Sequence, residues 1–130
     1  MKNKIAAIYC RTATIGKVQK VDMKKQIAWG VSRAKKDGYS TFVIIKDKGE
    51  SGANLERTGL KRLIRLTKAE IIDTVYTRDS SRLSRNAYDY LWLKDLFEQH
   101  SVKLKTMLMQ DNSEILLLLK KISNVGTRNQ

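Results

Sequence analysis

No proline occurs anywhere in the 130 residues, and cysteine and histidine occur once each. With no proline, no repeat and no low-complexity tract, nothing marks an internal boundary, and the length suits one domain with its own core. The lone thiol, Cys10, excludes an internal disulfide and fits a reducing, cytoplasmic setting. Its plain reading is a strand residue. The lone imidazole, His100, falls at a helix end and reads as a surface residue. A metal-dependent nuclease wants clustered carboxylates or histidines, which this pattern does not offer, so no metal is expected. No apolar run approaches the ~20 residues that a membrane span needs. Met1-Lys2-Asn3-Lys4 is basic, but the apolar run after it is too short for a signal peptide and has no cleavage site.

Acidic residues are scarce as well. Thirteen Asp and Glu stand against 26 Lys and Arg, leaving a net charge of +13. A surplus of this size points to a polyanion, most often nucleic acid, with an unspecialised basic surface or a membrane-facing one as the alternatives. The charge is also concentrated: residues 1–36 contain a single acid, Asp22, among many lysines and arginines.

What is present reads as alternating strands and helices. Ile5-Ala6-Ala7-Ile8-Tyr9 is a buried first strand, and a polar loop over 11–20 follows. Asp22 is expected to cap a helix running to about Lys36, with Gly38 as its stop and Met23, Ile27, Val31 and Ala34 on one apolar face. A second strand ends near Ile45, and a glycine-bearing loop runs from Asp47 to Asn54. A helix starting at about Thr58, as N-cap, carries Leu60, Leu63, Ile64 and Thr67 on one face. Residues 71–76 read as the third strand, Asp79 to Arg85 as a turn, Asn86 to Gln99 as a helix, and Val102 to Met107 as the fourth strand. A last helix is expected over about 113–125, where Leu116 to Leu119 are apolar on every side and so call for a packing partner. The order predicts an α/β fold: a parallel-type sheet of about four to five strands flanked by helices on both faces.

Ligands of such sheets bind at the carboxyl ends of the strands. The loops there carry Arg11, Arg57, Arg82 and Arg85. Arginine suits a phosphodiester, because its fork donates two hydrogen bonds to a phosphate and stays charged. Arg82 and Arg85, spaced i, i+3 across a helix start, can face one point, and a helix N-terminus favours a phosphate. Other phosphate chemistries are excluded by motif. The Gly49-to-Gly52 loop lacks the Gly-Lys-Ser/Thr ending of a Walker A, no GxGxxG follows the first strand, and Asp47 lacks the acidic pair of a receiver domain.

The chain resembles the catalytic domain of serine site-specific recombinases, the resolvase and invertase family, and within it the large serine recombinase branch. The resemblance rests on Tyr9-Cys10-Arg11-Thr12-Ala13-Thr14, on Gln26, and on Asp47-x-Gly49-x-Ser51-Gly52. It continues through Arg57-Thr58-Gly59-Leu60 and Asp79-Ser80-Ser81-Arg82-Leu83-Ser84-Arg85-Asn86. It implies a resolvase-like fold and enzymes that cut both strands of double-stranded DNA through a serine, exchange the ends and rejoin them without metal, ATP or another cofactor. It implies that Arg11, Arg82 and Arg85 hold the scissile phosphate, that Arg57 adds a DNA contact, and that Gln26, Asp47, Ser51, Arg57 and Ser81 support the pocket. Family members act in integration, transposition or inversion, as homodimers that pair into tetramers.

Two departures follow from the same resemblance. The nucleophile position holds Ala13, whose methyl cannot attack phosphorus, and the neighbouring Thr12 and Thr14 point elsewhere in an extended stretch. The chain as written is therefore expected to be inactive; engineered replacement and natural loss are both open. Second, family members continue into a long interface helix and further DNA-recognition domains, and these are expected to be reduced to the start of that helix or absent. The alternative function is a non-catalytic DNA-binding or oligomerisation module that keeps the fold.

Overall fold

The computed structural model describes residues 5–13, 16–50 and 52–107. Four strands, β1 (Ile5–Thr12), β2 (Thr41–Lys48), β3 (Thr74–Thr77) and β4 (Lys103–Thr106), form one sheet in the order β2-β1-β3-β4. Every pairing is parallel, and Arg11 lies opposite Asp47 in the β1–β2 register. The helices are α1 (Lys17–Lys36), α2 (Thr58–Lys68), the single turn α3 (Ser80–Leu83) and α4 (Ala87–Gln99). The expected helix over 113–125 falls outside the described residues.

Alternation along β1 divides the core in two. Ala7 and Tyr9 face α2 and α4, joining Leu60, Leu63, Leu93 and Phe97. Ala6, Ile8 and Cys10 face α1, joining Met23 and Ala34 of that helix, Tyr39 after it and Tyr76 of β3 in the second cluster. Helices on both faces explain why β1 is apolar from Ile5 to Cys10 rather than alternating. The α1 layer sits close to the sheet because Gly30 has no side chain: a Cβ there would meet Ile8 Cγ2 at 2.5 Å. Gly38, at φ +95°, ends α1 in a conformation that β-carbons disfavour, with its N–H donating to Lys35 O.

Several boundaries differ from the sequence reading, each for a physical reason. α1 starts at Lys17 with Gly16 as N-cap, so Asp22 lies a full turn inside the helix and caps nothing. The buried stripe of α1 is Met23, Gln26, Gly30 and Ala34, with Ile27 and Val31 at its margin. β2 runs on to Lys48, which places Asp47 in the sheet rather than in a loop. β3 begins at Thr74, because residues before it close the end of α2: Ile71 N–H donates to Leu66 O. Arg57, not Thr58, is the N-cap of α2, and it makes no side-chain capping bond. The turn over 79–85 contains α3, capped by Asp79, whose carboxylate accepts from Ser81 N–H.

Candidate functional site

The carboxyl end of the sheet gathers most of the singled-out residues into one hydrogen-bonded assembly. Gln26, buried on α1, clamps the β1 backbone from both sides. Its Oε1 accepts from Arg11 N–H at 3.1 Å and its Nε2 donates to Arg11 O at 3.1 Å. The same amide nitrogen donates to Asp22 at 2.9 Å. A helix side chain thus fixes the strand immediately before Ala13, which is exposed at the strand's end.

Asp47 does a second positioning task. Its carboxylate accepts from Gly59 N–H at 2.8 Å, Leu60 N–H at 2.9 Å and the Tyr9 hydroxyl at 2.5 Å. It therefore caps α2 from the neighbouring strand, satisfying two of the amides a helix start leaves unpaired. Gly59 is required for the approach, since a Cβ there would lie 2.7 Å from both carboxylate oxygens. The Tyr9 phenol is driven upward in pKa by burial first and by its bond to Asp47 second. Arg57 Nε lies 3.9 Å from the same carboxylate, and the Arg57 guanidinium stacks 5.9 Å from the centre of the Tyr9 ring.

Arginines converge on this frame at different depths. Arg11 is fully buried; its Nε donates to Arg82 O at 3.0 Å, Nη1 to Glu50 O at 2.9 Å and Nη2 to Ser81 O at 2.7 Å. It ties the loop after β2 to α3. Arg57, also buried, donates to Leu83 O and to Arg82 O. Arg82 donates to Arg11 O at 3.1 Å and lies 3.6–3.8 Å from Asp79 and Asp22. Arg85 is exposed, and its backbone N–H donates to Gly52 O at 2.9 Å. Gly52 lets the two layers meet: a Cβ would sit 2.9 Å from Arg11 Nη2 and 3.2 Å from Arg85 Cγ.

The i, i+3 argument for Arg82 and Arg85 does not describe this geometry. α3 ends at Leu83 and Ser84 is extended, so Arg85 is placed by Gly52 rather than by a helix face. The Ser81 hydroxyl bonds to Asp79 and its carbonyl accepts from Arg11. Ser51 falls outside the described residues.

The electrostatics are one-sided. The Arg11 guanidinium is pushed down in pKa, by burial first and then by the charges of Arg57, Arg85 and Arg82. Its hydrogen-bond partners are carbonyls, which donate no compensating charge. Arg85 pairs with no carboxylate among the described residues. Asp47 offsets Arg57, and Asp22 and Asp79 offset Arg82, so the uncompensated charge of the cluster is that of Arg11 and Arg85. Among the described residues no group of three or more His, Cys, Asp or Glu is placed to hold a metal ion, and no helix is long and apolar enough to cross a membrane.

Two contributors escaped the sequence reading. Asp22 holds Gln26, Arg78 and Arg82 together, and Arg78 pairs with it directly. Its i, i+4 spacing to Gln26 on one helix face was the available signal. The Tyr9 hydroxyl, read only as strand, anchors Asp47.

Known proteins share this architecture. Residues 6–122 match the resolvase N-terminal domain family. A resolvase homologue of Acanthamoeba polyphaga mimivirus is 30% identical over 104 residues, 79% of this chain and 50% of that protein. The chain thus spans about half the length of that curated relative. The N-terminal catalytic domain of TP901-1 integrase superposes with a TM-score of 0.73 at 27% identity, covering 97% of this chain and 98% of that one. The C-terminal catalytic domain of ISC1926 TnpA, an IS607-like serine recombinase, gives a TM-score of 0.70 at 29% identity, covering 91% and 79%. Family match, curated relative and shared fold agree: the chain belongs to the resolvase family, as a catalytic domain of the serine recombinase type.

Proposed function

We propose that the chain is a DNA-recombination domain whose arginine cluster grips a phosphodiester of duplex DNA and, with Ala13 in the nucleophile position, holds that phosphate without cutting it. The observation that carries this reading is the convergence of Arg11, Arg57, Arg82 and Arg85 beside the exposed Ala13, with Arg11 facing only carbonyls. The geometry divides the labour. Arg85, exposed, and Arg82, with 18% of its side chain exposed, supply the phosphate contacts. Arg11 and Arg57 lie buried behind them, brace the loops and contribute field. Phosphate contacts of this kind carry little sequence information, so binding is expected to be salt-sensitive with weak sequence preference. The working unit in this reading is a homodimer, with tetramers joining two DNA sites, as in the serine recombinases that the chain resembles.

Restoring the hydroxyl tests the reading. In Ala13→Ser, the serine oxygen attacks phosphorus, the bond to the 3′ oxygen breaks, and a 5′-phosphoserine link forms while the 3′ end leaves as a hydroxyl. On a nicked duplex, denaturing gels of Ala13→Ser should show a protein–DNA adduct that the Ala13 protein does not form. A folded, DNA-bound Ala13→Ser protein that never forms the adduct would favour the alternative reading, a DNA-binding module without latent chemistry.

A further inference from the structure

The opposite face of the same sheet edge carries a second basic feature that the arginine cluster does not use. Between the first turns of α1 and the end of β2 lies an open cavity of about 320 Å³. Lys20 and Lys24 line one wall, Lys46 and Lys48 the other, and Met23 and Ile27 form part of its floor. All four lysines are exposed, and none forms an ion pair among the described residues. No acid lines the cavity.

The spacing is regular on both walls. Lys46 and Lys48 are two residues apart on one strand, so their side chains leave the same face roughly 6.6 Å apart. Lys20 and Lys24 are one turn apart on α1, a rise of about 6 Å. Two parallel rows of two cations suit a linear polyanion running between them better than a single compact anion. Location selects the polyanion. In the β1–β2 register Lys46 lies opposite Cys10 and Lys48 opposite Thr12, and Thr12 itself lines the cavity. The channel therefore begins one residue from Ala13. Lys46 lies beside Cys10 on one side of β1 and Arg82 donates to the carbonyl of the next residue, Arg11, so the two basic regions adjoin across β1.

We propose that this channel is a second DNA-backbone site, taking the phosphates of the strand that leaves the arginine cluster, with deoxyribose resting on Met23 and Ile27. The inference rests on the DNA reading above and extends it to a defined path.

The test is a double substitution, Lys46→Gln with Lys48→Gln, compared with Lys35→Gln and Lys36→Gln at the far end of α1. Both remove two charges from exposed positions, and thermal melts verify the fold of each. Affinity for a fluorescent duplex is measured across a salt series. The channel variant should lose about tenfold in affinity, and its log K against log salt slope should flatten by about two, one for each phosphate contact. The control should change less than about twofold. Lys20→Gln with Lys24→Gln, on the other wall, should repeat the channel result and replaces the first variant if that one fails to fold. Equal effects in channel and control variants would overturn the inference, reducing it to net charge. If Arg85→Ala weakens binding while the channel variants do not, the channel falls and the arginine reading stands. If the unsubstituted protein binds no DNA, both fall.

Discussion

Replacing Asp47 by asparagine removes one charge and turns one acceptor into a donor at the point where β1, β2 and α2 are joined. The carboxylate takes three hydrogen bonds, two from backbone amides and one from Tyr9, and is 4% exposed. Leu60 N–H and the Tyr9 hydroxyl share one carboxylate oxygen while Gly59 N–H takes the other. An asparagine amide in that pose keeps one backbone amide and turns its NH2 toward the second. The tyrosine hydroxyl can rotate to accept; the backbone amide cannot. One orphaned buried donor costs about 1–3 kcal/mol. Loss of the anion at the start of α2 adds about 0.3–1 kcal/mol. Arg57 keeps its bond to Leu83 O but loses the nearest negative charge, which at 3.9 Å places this contribution at the low end for a buried pair. The first two losses alone sum to about 1.3–4 kcal/mol, or a melting temperature about 5–15 °C lower for a domain of this size. Urea unfolding of the two proteins, followed by circular dichroism, measures it. A loss below about 1 kcal/mol would refute the role of Asp47 as a cap set in a neighbouring strand.

Three other outcomes follow from named contacts. Cys10, buried and pushed up in pKa to about 12, should resist alkylation by iodoacetamide at pH 8 in the folded protein and react on unfolding. Burial alone would raise the Asp37 carboxyl, but bonds from Lys105 and Tyr76 and the charges of Lys105 and Arg33 outweigh it and hold the pKa below its ordinary value. That stability is present above the unfolded pKa of about 3.9 and is lost as pH falls through the folded one. The difference between the unsubstituted protein and Lys105→Met, read from urea melts, should therefore be largest near neutrality and shrink below about pH 4. Gly52→Ala should displace both Arg11 and Arg85, weakening DNA binding about tenfold and destabilising by about 1–3 kcal/mol; anisotropy and thermal melts measure the two effects.

Strand and helix order were legible because local signals agreed with the tertiary outcome. The apolar run at β1 is buried on both faces, α2 presents Leu60, Leu63 and Thr67 inward, and Gly38 stops α1. Asp22 misled because an acid near a helix start also satisfies the rule for caps. Its true partners, Arg78 and Arg82, lie far along the chain and come close only when β3 packs beside β1. The arginines were named from the sequence, but their depths were not. Arg11 shares the face of Ala7 and Tyr9, which points it inward under α3, while Arg85 leaves a non-helical turn at the surface.

The central claim is that Arg85 and Arg82, in front of the buried Arg11, hold a DNA phosphate. Fluorescence anisotropy with a labelled duplex, comparing the unsubstituted protein with Arg85→Ala across about 50–200 mM salt, tests it most directly. Loss of at least about tenfold in affinity, with a flatter salt slope by about one, is the predicted result. Identical curves for the two proteins would contradict it.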